Sequence, residues 1–302
     1  MDHLQRAWYG KDISLALHSK SEQEYEDFFA LIMQKTHSDN FTPIKAAGRD
    51  GDRKSDGYLI PEKRIYQVYA PSSGFKKSNL INKIEGDFSG AKKHWKDKML
   101  AWTFVHNEFE GLPPYAIDVI EKLKKDNKAL HISVLGPNEL FDIAINIGIE
   151  KLIDVFGHVP TQKDMVDLTH EPIKTLLKAI SRKQRSHTKL EPVSVDKLNF
   201  NSLSVDVASL LNAGRVKEKF VEDLISRWPD PEYGEDLATS FNDYYTNLKE
   251  AGQSPDEIFN KLQIFAGGVN QDAKTQVSSL AVLSYFFERC DIFDNPPKGW
   301  KK

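Results

Sequence analysis

Tyr58-Leu59-Ile60, then Pro61-Glu62-Lys63, then Arg64-Ile65-Tyr66-Gln67-Val68-Tyr69-Ala70, reads as two strands joined by a tight connection. Outward from this hairpin, Ser21 with Glu24 three residues on signals a capping box, and Tyr25, Phe28, Phe29 and Ile32 share one helical face behind it. Downstream, the pattern predicts a helix over 89–100, a strand at Trp102-Thr103-Phe104-Val105-His106, a helix entered at Pro113-Pro114, and a strand over Leu130–Leu135 that Gly136-Pro137 stops. Helix, strands, helix, strand, helix, strand implies a mixed sheet with helices on its faces, because β-α-β crossovers return parallel strands to one sheet. Beyond residue 150 the periodicity is helical: 163–167, 172–184, 216–228, 236–250, 255–265 and 275–288, with Ser254-Pro255-Asp256-Glu257 a clear helix start and 188–202 a connector around Pro192. The expected class is α+β, a helix-flanked mixed sheet over 1–150 followed by an all-α domain over 151–302.

The chain has 302 residues, 28% charged and 40% hydrophobic, enough for one large or two modest cores. A formal charge of -3 excludes a uniformly basic coat, so any polyanion contact is local. No apolar run reaches the roughly 18 residues a membrane span needs, and Met1 opens onto mixed polar residues. A soluble, cytoplasmic protein is expected, with no membrane partner. One cysteine, Cys290, rules out an internal disulfide and any multi-cysteine metal site.

The segment Gly48-Arg49-Asp50-Gly51-Asp52-Arg53-Lys54-Ser55-Asp56-Gly57 puts an acid immediately before the first strand of the hairpin. Alternation sets Gln67 and Tyr69 on one face of the second strand, opposite Tyr66 and Val68, and Asp56 is placed to approach Gln67 across the hairpin. A carboxylate and an amide oxygen beside a phosphodiester suit a divalent cation, Mg2+ or Mn2+, which prefers hard oxygen ligands. The plain alternatives are that Asp50 and Asp52 only shape a turn, that Glu26 is a solvated helix residue, and that Gln67 satisfies buried backbone.

Gly51-Asp52, Asp56-Gly57 and Gln67-Val68-Tyr69 together resemble the PD-(D/E)xK restriction-endonuclease-like superfamily, especially its Mrr-like branch, and the element order over roughly 20–135 resembles its core. The resemblance implies a metal-dependent deoxyribonuclease in which Asp56 is the principal metal carboxylate, Gln67 a neutral replacement for a second acid, and Glu26 an additional acid from the first helix. Tyr69 occupies the place of the family's lysine; a phenol donates a hydrogen bond but supplies no ammonium charge. Lys76, Lys77, Lys92, Lys93 and Lys96 are candidates to replace that charge and to follow a DNA backbone, against the commoner reading of a solvated helix face. His106-Asn107 reads as a strand end with local hydrogen bonds.

Thr161–Ile180, with Lys163, Lys174 and Lys178, weakly resembles a helix-turn-helix, a plain helical hairpin being the stronger reading. Tyr285-Phe286-Phe287-Glu288-Arg289-Cys290-Asp291-Ile292-Phe293 resembles the carboxy-terminal interaction domains of effectors in bacterial ABC three-component, Lamassu-like antiphage systems. That resemblance implies partners, an SMC-like ABC ATPase and a middle subunit that restrain the effector, with self-association on activation. Three functions follow: a restrained metal-dependent DNA endonuclease, a catalytically inactive DNA-binding or adaptor subunit, and a pair of protein-interaction modules.

Overall fold

The structure is a computed structural model that describes residues 1–45, 53–180, 197–268, 271–289, 291–297 and 300. The loop acids Asp50 and Asp52, the 188–196 part of the connector, and Cys290 lie outside the described residues. The chain divides into two compact units: Ala16–Lys151, and Leu152–Lys302 together with Met1–Leu15. The sequence had grouped 1–150, whereas the first fifteen residues belong to the helical unit. There Leu4, Ala7 and Trp8 enter the core, and buried Lys11 donates to Asn260 Oδ1 and Gln263 Oε1, both at 3.1 Å.

In the first unit, β1 (Phe41–Pro43), β2 (Gly57–Leu59), β3 (Arg64–Tyr69), β4 (Ala101–His106) and β5 (His131–Leu135) form one sheet in that order. Pairing is antiparallel from β1 to β3 and parallel from β3 to β5, so the sheet is mixed and the protein α+β. Helix α2 (Glu22–His37) covers one face, with Phe29 ring centroids 5.4 Å from Tyr66 and 6.1 Å from Phe41. Helices α3 (Lys77–Trp95) and α4 (Pro114–Asp126) cover the other, packing Leu80, Ile84, Phe88, Ala116 and Ile120 against Ile65, Trp102 and Phe104. Helix α5 (Pro137–Ile145) follows, entered by Gly136-Pro137 with Pro137 at the first helical position.

Two local expectations are corrected. Ser21 makes no capping bond; Glu22 instead takes a φ of 49° and its N–H donates to the Ala70 carbonyl at 2.5 Å, so the end of the hairpin starts the helix. Helix α3 begins twelve residues before the predicted 89, because its buried stripe, Leu80, Ile84, Asp87, Phe88 and Ala91, contains a carboxylate that breaks the apolar pattern.

The helical unit holds α1 (His3–Ser19) up to Leu15, α6 (Ile149–Phe156) from Leu152, α7 (Gln162–Val166), α8 (His170–Ile180), α9 (Lys197–Phe200), α10 (Val205–Arg215), α11 (Glu218–Ser226), α12 (Tyr233–Glu250), α13 (Pro255–Phe265) and α14 (Ala273–Glu288). From Gln276 to Phe287 every residue of α14 is buried, the mark of a helix at the centre of its unit. Gly214 of α10 meets it where Ser284 Oγ donates to the Leu211 carbonyl. The capping box at Ser254 forms as the sequence predicts. Beyond α14, buried Lys197 donates to the carbonyls of Phe287 at 2.7 Å and Ile292 at 2.6 Å, which fastens the Tyr285–Phe293 segment. Among the described residues, no helix is long and apolar enough to cross a membrane.

A Cβ at Gly214 would stand 2.6 Å from the backbone oxygen of Leu280 as well as against Ser284 Oγ. Gly214→Ala is therefore expected to lower unfolding free energy by about 1–3 kcal/mol, read from the urea midpoint, whereas Gly86→Ala, which has open space, costs nothing. Asp291 is fully buried, its carboxylate oxygens have no hydrogen-bond partner among the described residues, and Arg289 Nε is 3.8 Å away. Burial pushes its pKa up from 3.8 to about 7, against the opposing pull of Arg289 and Lys197 and with a further push from Glu235. A raised acid binds its proton more tightly when folded, so its contribution is full below about pH 4 and is lost as pH rises through about 7. Denaturation midpoints across that window should decline in the wild type and flatten in Asp291→Asn.

Candidate metal and phosphodiester site

Strand β2 is three residues long and β3 is six, so the far half of β3 outruns its neighbour. Asp56, just before β2, fills the gap. Its own N–H donates to the Tyr66 carbonyl at 2.8 Å, while its Oδ2 accepts both the Val68 N–H and Gln67 Nε2, each at 2.6 Å. The hairpin thus brings Asp56 and Gln67 together, and both are buried. Gln67 turns its nitrogen toward Asp56, which leaves Oε1 buried with no hydrogen-bond partner among the described residues.

Asp56 also lines a cavity of about 540 Å³ with Glu26, Gln23 and Asp27 of α2 and with Ile44 and Lys45 beyond β1. Glu26 is half-buried and shares the lining, so Asp56 and Glu26 meet in one space. Gln67 stands behind Asp56 and Tyr69 is also outside the lining. The Tyr69 ring stacks on Phe75 at 5.8 Å and packs near Phe104 at 6.4 Å.

The five lysines chosen from the sequence are exposed and divide between the two ends of α3. Lys76 and Lys77 open it; Lys92, Lys93 and Lys96 close it, roughly 25 Å away at 1.5 Å per residue. None of them lines the cavity. Lys45 does; it follows a strand of three residues, too short to leave a period in the sequence. Lys83, between the two groups on α3, has its Nζ 5.9 Å from the Tyr69 ring and 2.7 Å from Asp87 Oδ2. His106 and Asn107 serve local bonds. The Glu108 N–H donates to His106 Nδ1 at 3.2 Å, Asn107 Nδ2 donates to the Pro71 carbonyl at 3.4 Å, and burial holds the His106 pKa down at about 4, so the ring is neutral.

Among the described residues, no three His, Cys, Asp or Glu side chains gather as a metal-ligand group. The oxygen set is instead two carboxylates, Asp56 and Glu26, with the partnerless amide oxygen of Gln67 next to the first. Hard, mostly anionic oxygens beside an open space fit Mg2+ or Mn2+ rather than a thiolate-seeking or imidazole-seeking metal.

Residues 171–294, within the helical unit, match the family model for C-terminal domain 10 of the ABC-three component (ABC-3C) systems. No curated protein and no solved structure matches the chain significantly.

Gln67→Glu sets a second carboxylate against Asp56 where a 2.6 Å bond now stands. The expected result is a lower melting temperature at pH 7 that millimolar Mg2+ or Mn2+ restores, with a larger cation-induced shift than the wild type shows. A variant that melts like the wild type and ignores both cations would separate Gln67 from any ion site.

Proposed function

We propose that this chain is an effector of an ABC-three component antiphage system, a Mg2+- or Mn2+-dependent DNA endonuclease whose activity partner subunits restrain. The observation that carries the reading is the convergence of Asp56, Glu26 and Lys45 on one cavity, with Gln67 clamping Asp56 from behind. The family match over 171–294 supports the defence setting and the partners; ABC-three component systems are multi-subunit complexes. The restriction-endonuclease-like resemblance supplies the nucleic-acid chemistry.

In this reading Asp56 and Glu26 hold the cation, and Gln67 holds Asp56 in place from behind the cavity wall. The cation, when bound, contributes charge that offsets the developing negative charge on a phosphoryl group and acidifies bound water. Gln67 Nε2 and the Val68 N–H keep Asp56 aimed by donating to its Oδ2. Lys45 provides the ammonium that Tyr69 cannot, facing the scissile phosphate from the β1 side of the cavity. Lys76, Lys77, Lys92, Lys93 and Lys96, at both ends of α3, follow the DNA backbone on either side. Tyr69 stays outside the cavity lining, its ring stacked on Phe75.

A second reading, an inactive DNA-binding or adaptor subunit, is favoured by Tyr69 at the lysine position and by the lack of a three-acid group among the described residues. Purified full-length chain, alone and with its partner subunits, should nick or linearise supercoiled plasmid in Mg2+ or Mn2+ and stop on chelation. Asp56→Ala and Glu26→Gln should each lower the rate by about 100-fold or more, as loss of a transition-state charge stabiliser does. Residual cleavage equal to the wild type in Asp56→Ala would remove this mechanism. Salt-sensitive DNA binding without cleavage under every metal and partner condition would establish the second reading.

A further inference from the structure

We infer that Asp87 of α3 is a positioning residue for Asp56: it fastens the short loop that presents that carboxylate to the cavity. The inference rests on the reading of Asp56 as the functional acid. Its starting point is backbone strain. Arg53 and Lys54, consecutive and neither of them glycine, hold φ angles of 55° and 60°. Such conformations persist only where the surroundings over-determine them, and they gather at functional sites.

Contacts on α3 supply that determination. Lys54 Nζ lies 3.2 Å from Asp87 Oδ1, and Asp87 is only 2% exposed. The Lys54 stem crosses α3 at Gly90, where an added Cβ would come within 2.6 Å of Lys54 Cγ. The notch exists because residue 90 has no side chain. Lys83, one turn before Asp87 on the same helix, pairs with the other carboxylate oxygen at 2.7 Å. One helical lysine already balances the charge of Asp87, so the second, reaching in from the loop, acts on the loop.

Two residues later the chain arrives at Asp56, tied to β3 through its N–H and through its carboxylate. The stretch from Lys54 to Asp56 is therefore held at both ends, by α3 and by β3. Releasing the α3 end lets the loop relax its left-handed residues and moves the carboxylate away from the Val68 N–H.

The Val68 amide provides a readout independent of metal, DNA and catalysis. In the full chain, Lys54→Met should raise its hydrogen-exchange rate at least tenfold, Gly90→Ala should do the same by closing the notch, and Lys54→Arg should restore protection. The Ile65 amide serves as the reference within β3. Lys54 is half-exposed, so its replacement keeps the test sound where Asp87→Asn fails to fold. Unchanged Val68 protection in both Lys54→Met and Gly90→Ala overturns the inference. In plasmid cleavage, Lys54→Met should lower kcat and leave KM for DNA in place; a rise in KM alone, with Val68 still protected, makes Lys54 a phosphate contact and also overturns it. Loss of Val68 protection in a protein whose wild type neither binds Mn2+ nor cuts DNA sustains the fastening and sinks the nuclease reading instead.

Discussion

One carboxylate oxygen receives two buried donors, and much of the first unit follows from that. Strand β3 runs past the end of β2, so the Val68 N–H would be left inside the protein without a strand carbonyl to meet it. A buried donor left unmade costs about 1–3 kcal/mol. Asp56 meets that need with its side chain, and the same oxygen takes Gln67 Nε2. Gln67 Oε1 is left buried without a hydrogen-bond partner among the described residues. A sheet built for stability alone could place a hydrophobic pair at this position. Keeping a charged acceptor and an idle amide oxygen beside a cavity is the kind of local inconsistency that functional sites retain.

The hairpin, the parallel strands and the helical second half were legible because each has a clean period. Asp56 and Gln67 could be paired from the sequence for the same reason: antiparallel register is short-range and strand alternation fixes the face. What escaped was everything without a period. Helix α1 is buried on several faces at once, through Leu4, Trp8, Tyr9, Lys11 and Ile13, so it shows no polar side to set against an apolar one. The first three turns of α3 were missed because Asp87 sits in its core stripe and Gly86 and Gly90 dilute the helical signal. Lys45 and Lys54 were invisible as site residues, since their placement depends on a cavity and on a notch in another helix, both tertiary facts.

The helical unit shows the same economy with charge. Lys11 and Lys197 are both buried, and each donates to neutral oxygens: side-chain amides for the first, which also pairs with Asp12, and backbone carbonyls for the second. A buried ammonium held by carbonyls at a helix end fixes where that end lies, because no other packing satisfies its donors. Lys197 therefore specifies the course of the chain after α14, through Asp291 and Phe293, within the stretch that the ABC-three component family model covers. Asp291 sits close enough to feel Arg289 and Lys197 yet bonds to neither, so its ionisation strains the arrangement that Lys197 fixes.

Position 69 brings these electrostatic arguments together. Asp87 already faces Lys54 at 3.2 Å and Lys83 at 2.7 Å, and Lys83 Nζ is 5.9 Å from the Tyr69 ring. A lysine at 69 would bring a third ammonium to one carboxylate in a low-dielectric setting, where like charges a few ångströms apart repel strongly. A tyrosine instead offers a ring face to Lys83, an attraction of about 0.5–2 kcal/mol, and stacks on Phe75. A tyrosine at position 69 is thus coherent with the charge carried by α3 and the preceding loop, where Lys54 and Lys83 both face Asp87.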